Sequence, residues 1–215
     1  MSLFDLLDRS VAPEARSGRI YGVVVGVVTN NQDPDSLGRV KVKFPWLSDV
    51  DESSWARIAA PMAGKQRGFA FLPEVDDEVL VAFEHGDVRF PYVLGALWNG
   101  QDAPPVTNDD GKNNVRMIKS RSGHVVKLND ENGKETIEII DKSQKNSIVI
   151  DTAKNTITVT VDKDITFSAS QGTIKLDAQN VEISSSGATK LKSGSTMNVE
   201  ASGTMTVKGA TVNIN

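Results

Sequence analysis

From Ile137 to Asn215 the chain alternates apolar and polar residues in short bursts: TIEIID, NSIVID, NTITVTV, DITFSAS, GTIKLD, NVEIS, TKLKS, TMNVEA, TMTVK and ATVNIN. Period-2 alternation marks a strand with one buried face. The bursts recur about every 8 residues and are broken by Asp, Asn, Lys, Ser or Gly, which suit turns or corners. The inward positions come in pairs: Ile148 and Ile150, Ile157 and Val159, Ile165 and Phe167, Ile174 and Leu176, Val181 and Ile183, Met197 and Val199, Met205 and Val207, and finally Val212 and Ile214. The pattern predicts a strand solenoid.

One chain has difficulty stabilising such a solenoid. Each repeat offers two inward side chains, worth about 1.5–3 kcal/mol apiece when fully buried. Ordering a repeat costs about 1–2 kcal/mol per residue in backbone entropy. Three copies wound about one axis solve the problem, because each supplies a strand per level and the apolar stripes meet inside. The reading is an intertwined, triple-stranded β-helix, a homotrimeric needle whose core is the paired residues from Ile148 to Val207. A single-chain solenoid is the alternative. At about 4.8 Å per stacked strand, ten levels make a rod of roughly 50 Å.

Upstream the periodicity is also that of strands. Arg19 to Thr29 predicts a long strand whose Gly22 and Gly26 suggest bulges or sharp coiling. Asn30 to Gly38 is turn-rich, Arg39 to Leu47 alternates up to Pro45, and Ser54 to Ala60 predicts a third strand. A glycine-containing loop covers Pro61 to Gly68. Strands four and five, Glu78 to Phe83 and Tyr92 to Trp98, flank a short acidic connection. Five strands in this span fit a small Greek-key barrel of the OB type. The all-β chain divides into an amphipathic segment (1–17), an OB domain (18–101), a Pro/Asn/Asp/Gly linker (102–114) and the β-helix (115–215). In the first segment Leu3, Phe4, Leu6 and Leu7 make an apolar stripe too short to stand alone, suited to docking on a neighbour.

Composition narrows the chemistry. The formal net charge of the 215 residues is −4, and neither half is basic enough to track phosphates, so no nucleic-acid partner is expected. Aromatic residues concentrate before Gly100, with Phe167 alone beyond it, so a conventional core belongs to the first half. The absence of cysteine excludes disulfides, thiolate metal sites and thiol nucleophiles. No apolar run reaches the length of a membrane-spanning helix, and MSLFDLLDRS carries acids where a secretory leader needs a basic flank, so assembly in the cytoplasm is expected. His85, beside Glu84 and Asp87, lacks a second ligand-rich segment and reads as a tight strand connection. The acidic loops Asp49 to Glu52 and Glu74 to Glu78 lack the order of a calcium loop. Trp46, Trp55 and Trp98 are assigned to barrel core or trimer contact rather than to base stacking. No catalytic residue, metal site or cofactor is expected, and the protein reads as a non-enzyme.

The phrases LGRVKVKFPWL, SSWARIAAPMAGKQRGFAFLPEVDDEVLVAFEHGD and PYVLGALWNG, followed by SRSGHVVKLND, resemble the OB and neck region of contractile-injection spike proteins. That family includes the valine-glycine repeat spikes of type VI secretion, the central spikes of contractile phages and phage baseplate assembly protein V. The resemblance runs by motif from about Gly18 to Ile150. It implies a trimeric spike on a baseplate hub at the tube end, driven through the target envelope by sheath contraction and touching that membrane transiently. Type VI spikes carry hub-like domains ahead of the OB barrel. Few residues precede it here, so the resemblance implies a separate hub protein met by Leu3, Phe4, Leu6 and Leu7. Some minimal phage spikes close their tips with a His-x-His iron site. The histidines here, His85 and His124, lie far upstream. The implied partner is therefore a PAAR-type tip protein seated on Val212, Ile214 and Asn215. The resemblance implies part of a phage tail or tail-like particle, and the alternative function is a trimeric fibre or adhesin.

Overall fold

Strand β1 (Val24–Asn30) opens the barrel and pairs with β2 (Lys41–Lys43) on one side. A short β3 (Arg57–Ile58) and the tight hairpin of β4 (Ala63–Gly64) and β5 (Arg67–Gly68) follow. Then come β6 (Glu78–Phe83) and β7 (Pro91–Ala96). These observations come from a computed structural model, which describes residues 18–214. The expected hub-docking residues Leu3, Phe4, Leu6 and Leu7, and the tip residue Asn215, lie outside that range.

The main sheet runs in the order β2-β1-β6-β7-β3, antiparallel except for the parallel β3–β7 pair. Bridges from Val40 to Ala56 and from Lys43 to Glu52 bring its two edges together, so the sheet curls towards closure as an OB barrel requires. Alternation decides which side chains go inside. In EVLVAF, Val79, Val81 and Phe83 are buried while the residues between them face outward. Val28, Val40, Val42, Phe44, Ala56 and Val93 complete the core, with the Phe44 and Phe83 rings edge-on at 5.5 Å.

Gly26 makes a close approach rather than the expected bulge. A Cβ there would run into Val42 Cγ1 and stand 3.1 Å from the Lys43 carbonyl oxygen. The register irregularity of β1 falls instead between Val28 and Asn30. The following loop is organised by one carboxylate. Asp33 accepts hydrogen bonds from the backbone N–H groups of Leu37 (3.0 Å) and Arg39 (3.2 Å), and its oxygens receive the Arg39 guanidinium at 2.8 and 2.6 Å. That guanidinium, with the backbone donors, holds the Asp33 carboxyl well below the usual carboxylate range.

Beyond the barrel, five strands form an up-and-down antiparallel sheet: β8 (Val115–Lys119), β9 (Val125–Asn129), β10 (Thr136–Ile140), β11 (Ser147–Asp151) and β12 (Thr156–Thr160). Each turn between them contains a residue of positive φ: Gly123 (101°), Gly133 (77°), Gln144 (61°) and Asn155 (55°). Over these residues the backbone ladder lies within the chain, where the sequence pattern led us to expect ladders between chains. The reason is local. Four- to six-residue polar turns fold each strand back on its predecessor before a second chain is needed.

The β10–β11 turn depends on Asp141. The Ser143 hydroxyl donates to both carboxylate oxygens at 2.8 Å, and Asn146 donates through its backbone (3.2 Å) and side-chain (3.0 Å) nitrogens. These donors, the Ser143 hydroxyl foremost, lower the carboxyl from its ordinary 3.8 to about 2. A depressed carboxylate stabilises the fold above its unfolded-state value, and that contribution disappears as pH falls through the folded value. Protection of the Ser143 to Asn146 amides, measured against the intrinsic exchange rate at each pH, should therefore be high at pH 5 and fall between about pH 4 and pH 2. Asp141→Asn should remove most of that pH dependence. An identical acid profile in the variant would show that another group governs the turn.

Residues 163–214 form a second unit, following the compact unit that ends at Asp162. Every described residue in it is exposed and none belongs to a strand. Among these residues one backbone-to-backbone hydrogen bond is made, from Gly172 N–H to the Ala169 carbonyl at 3.3 Å.

Candidate assembly faces

Two surfaces expose apolar side chains in a regular order. The first is one face of the β8–β12 sheet. The strand register lines up Ile118, Val126, Ile139, Ile148 and Val159 as one cross-strand row. Beside it runs a second row: Arg116, Leu128, Ile137, Ile150 and Ile157. Directly opposed aliphatic side chains stabilise the sheet, yet most of these remain about half exposed in the single chain. Covering each would contribute on the order of 1 kcal/mol. The other face is mixed and less exposed: Lys127 and Glu138 sit opposite each other with a 2.9 Å ion pair, the Thr136 hydroxyl donates to the same Glu138 carboxylate at 2.7 Å, and Met117, Val125, Ile140 and Val149 lie half-buried around them. The more exposed apolar face is the one lacking a cover.

The sequence-derived pairs Ile148/Ile150 and Ile157/Val159 share the apolar face, and the register sets Ile148 against Val159 and Ile150 against Ile157. The later positions, Ile165, Phe167, Ile174, Leu176, Val181, Ile183, Met197, Val199, Met205 and Val207, all lie exposed in the second unit, as do Val212 and Ile214.

Of the two placements expected for the tryptophans, barrel core is not met, since none joins the buried core. Trp46 is half exposed and donates from Nε1 to the Val25 carbonyl at 3.2 Å. Trp55 lies beneath the cations of Arg39 and Lys41, at 5.9 and 5.7 Å from its ring. Those cations are neutralised by Asp33, Asp35 and Glu52, so the aromatic surface has no unbalanced positive charge for a phosphate chain. Arg57 stacks over the Tyr92 ring at 4.9 Å, and the Tyr92 hydroxyl donates to Glu84 at 2.9 Å. This cation–aromatic rim was missed because its members are distant in sequence and meet through the β3–β7 pairing.

His85 adopts left-handed dihedrals (φ 48°, ψ 30°) in the 3-10 turn Glu84–Gly86, and its carbonyl accepts from the Arg19 guanidinium at 2.8 Å. His124 Nδ1 accepts the Lys142 backbone N–H at 3.2 Å. The acidic loops are occupied internally: Ser48 donates to Asp51 at 2.9 Å, and Asp77 accepts the Glu74 N–H at 2.8 Å. Among the described residues no group of three or more His, Asp or Glu side chains could hold a metal ion, and no helix is long and apolar enough to cross a membrane.

The barrel and the neighbouring sheet together give the comparisons with known proteins their structural meaning. Residues 24–98 match the type VI secretion system/phage-baseplate injector OB domain. The chain is similar to type VI secretion system spike protein VgrG1a of Pseudomonas aeruginosa, at 28% identity over 157 residues, covering 68% of this chain and 24% of that protein. It is 34% identical over 108 residues to spike protein VgrG3 of Vibrio cholerae, covering 48% of this chain and 11% of the relative. A Vibrio cholerae protein named actin cross-linking toxin VgrG1 shares 33% identity over 128 residues, 56% of this chain and 12% of that protein. The chain spans between about a tenth and a quarter of these relatives' lengths. The injector OB domain begins at the first residue of β1 and ends two residues after β7, so the family match and the curled sheet describe the same object.

Proposed function

We propose that this protein is the central spike of a contractile tail or injection machine. Three copies assemble with their OB barrels on a baseplate hub and their distal residues wound into a needle, which sheath contraction drives through the target envelope. One observation carries the reading. Directly downstream of an injector OB domain and its sheet, residues 163–214 display alternating apolar side chains with almost no in-chain backbone pairing. Ordering such a segment costs about 1–2 kcal/mol per residue, and the segment itself offers nothing to offset that cost. Two further copies supply both the missing ladder and the cover for the apolar positions. The role is mechanical, and the reading assigns no catalytic group, cofactor or metal.

Leu3, Phe4, Leu6 and Leu7 are the proposed hub contact. At the far end Ile214 is 89% exposed and Val212 47%. Val212, Ile214 and Asn215 are the proposed seat of a conical PAAR-type cap, bound through main-chain pairing and a shape-matched apolar contact. Electron cryomicroscopy of the assembled particle tests the whole arrangement. The expected result is three-fold density for this chain on the tube axis, hub-side first, with one cone beyond Ile214. Density for this chain away from the axis, or without three-fold symmetry, would overturn the spike reading; a needle without a cone would overturn the cap alone.

A further inference from the structure

The dipeptide Asn-Gly occurs twice in the sequence, at Asn99–Gly100 and Asn132–Gly133. Asparagine is a thermolabile side chain, and a following glycine puts no Cβ in the way of the next peptide nitrogen. The two pairs sit in different surroundings. Asn132 and Gly133 are the exposed central residues of the β9–β10 turn, which the Lys134 N–H closes on the Glu131 carbonyl at 2.8 Å. Gly133 has a φ of 77°, and nothing lies within 4 Å of the position its Cβ would take. The Asn132 side chain has no hydrogen-bond partner among the described residues. The turn is braced without it. The Asn129 side chain accepts the Glu131 N–H at 3.1 Å and donates to the Lys134 carbonyl at 3.0 Å, and Lys134 pairs with Glu131 at 2.7 Å. Asn99 is tied down instead. Its Oδ1 accepts the backbone N–H groups of Gln101 (2.8 Å) and Asp102 (2.7 Å), and its Nδ2 donates to the Asp102 carboxylate at 3.4 Å. Its own N–H donates to the Asp102 carbonyl at 3.1 Å.

We propose that Asn132 is a self-modification site, converted to aspartate and isoaspartate with water as the co-reactant, and that Asn99 is spared. Solvent base takes the proton of the Gly133 amide, and that nitrogen attacks Asn132 Cγ. The N–Cγ bond forms, the Cγ–Nδ2 bond breaks, and Nδ2 leaves with a solvent proton as ammonia. One water then opens the five-membered succinimide. Addition at Cγ restores the original main chain with an aspartate. Addition at the main-chain carbonyl carbon gives isoaspartate, in which the main chain runs through the former side chain. No electrons are transferred: asparagine and water become a carboxylic acid and ammonia. Ring closure requires the side chain to swing onto the next peptide nitrogen. At Asn132 that motion breaks no hydrogen bond, whereas at Asn99 the two backbone donors on Oδ1 must first be released. Either product ionises near neutral pH and adds one negative charge to a chain of formal charge −4. The charge falls beside Asp130 and Glu131 in a turn that Asn129 and Lys134 still hold closed. The protein thus carries an irreversible record of its own age at the end of the β9–β10 hairpin.

The test ages the full chain in warm, mildly alkaline buffer, folded and in denaturant side by side. Peptide mass mapping follows the amide-to-acid change at each asparagine, and enzymatic methylation counts isoaspartate. In the folded protein Asn132 should convert at least ten-fold faster than Asn99, a ratio equivalent to about 1.4 kcal/mol in the barrier. In denaturant the two should convert at similar rates, because the hydrogen bonds that hold Asn99 are gone. Asn132→Gln should lose the acidic charge variant that ion exchange resolves in aged wild type. Equal conversion of the two sites in the folded protein would overturn the proposal, as would an unchanged Asn132 under conditions that convert the denatured chain. The same ten-fold preference in denaturant would also overturn it, since neighbouring residues rather than the fold would then set the rates.

Discussion

Ile174→Asp, and equally Ile165→Asp, should eliminate soluble trimer, whereas Lys175→Asp and Lys163→Asp should leave it intact. In a needle built from three copies the inward carboxylates meet in threes around the axis, where lost hydration and like-charge repulsion add. Each charge displaces an aliphatic side chain that is about half exposed in the single chain and that the proposed needle would cover. Lys175 sits between the inward Ile174 and Leu176, and Lys163 lies in the bend that precedes Ile165. Lys175 makes a 3.0 Å ion pair with Asp177 on two well-exposed side chains, an interaction worth about 0–1 kcal/mol. Native mass spectrometry at micromolar concentration reads the outcome directly. Wild type and the lysine variants should run as trimers that dissociate slowly, because wound strands separate only by unthreading. If the inward and outward substitutions behave alike, the assigned facing is wrong.

Gly26→Val should be the most damaging single change in the barrel. Gly26 faces Val42, which is fully buried, and a Cβ there also crowds Lys43 O and the Phe44 ring, each at 3.1 Å. Overpacking of this kind costs about 1–3 kcal/mol for each modest insertion, and a branched side chain adds two further methyl groups. Gly22→Ala is the matched control, because nothing lies within 4 Å of its Cβ position. Hydrogen exchange across the β1–β6 ladder should rise at least ten-fold in Gly26→Val and stay at wild-type values in Gly22→Ala. Equal protection in the two variants would mean that β1 can shift away from β2 at little cost. The measurement is local by design, since melting of an oligomer is not a two-state process.

Much of this fold is written in short-range pattern. The run EVLVAF specifies β6 and its inward residues unaided, because strict alternation with Val79, Val81 and Phe83 on one side has one satisfactory face to bury. The same argument placed Ile148, Ile150, Ile157 and Val159 on a common face, and the strand register puts them there. What alternation could not distinguish was the partner strand. An apolar stripe looks the same whether it is paired within its own chain or with another, and the turns DENGKE, DKSQKN and TAKN were the available signal. Polar turns of that length, each with one left-handed residue, are what folds Val115 to Thr160 back on itself.

The sequence by itself determined the all-β class, the OB-type barrel, the inward residues of β6 and the lack of cysteine chemistry, since each depends on a residue's own type and its immediate neighbours. The tertiary structure alone decided that Trp55 lies under Arg39 and Lys41, that Arg57 stacks on Tyr92, and that Phe69, Phe71, Leu94 and Trp98 gather at one depression. Those groupings depend on which strands become neighbours: the parallel β3–β7 pair and the Val40–Ala56 bridge join segments tens of residues apart. Hydrophobicity is non-directional and fixes only that a side chain seeks cover; chain closure fixes which residues supply that cover, and which are left exposed for another molecule.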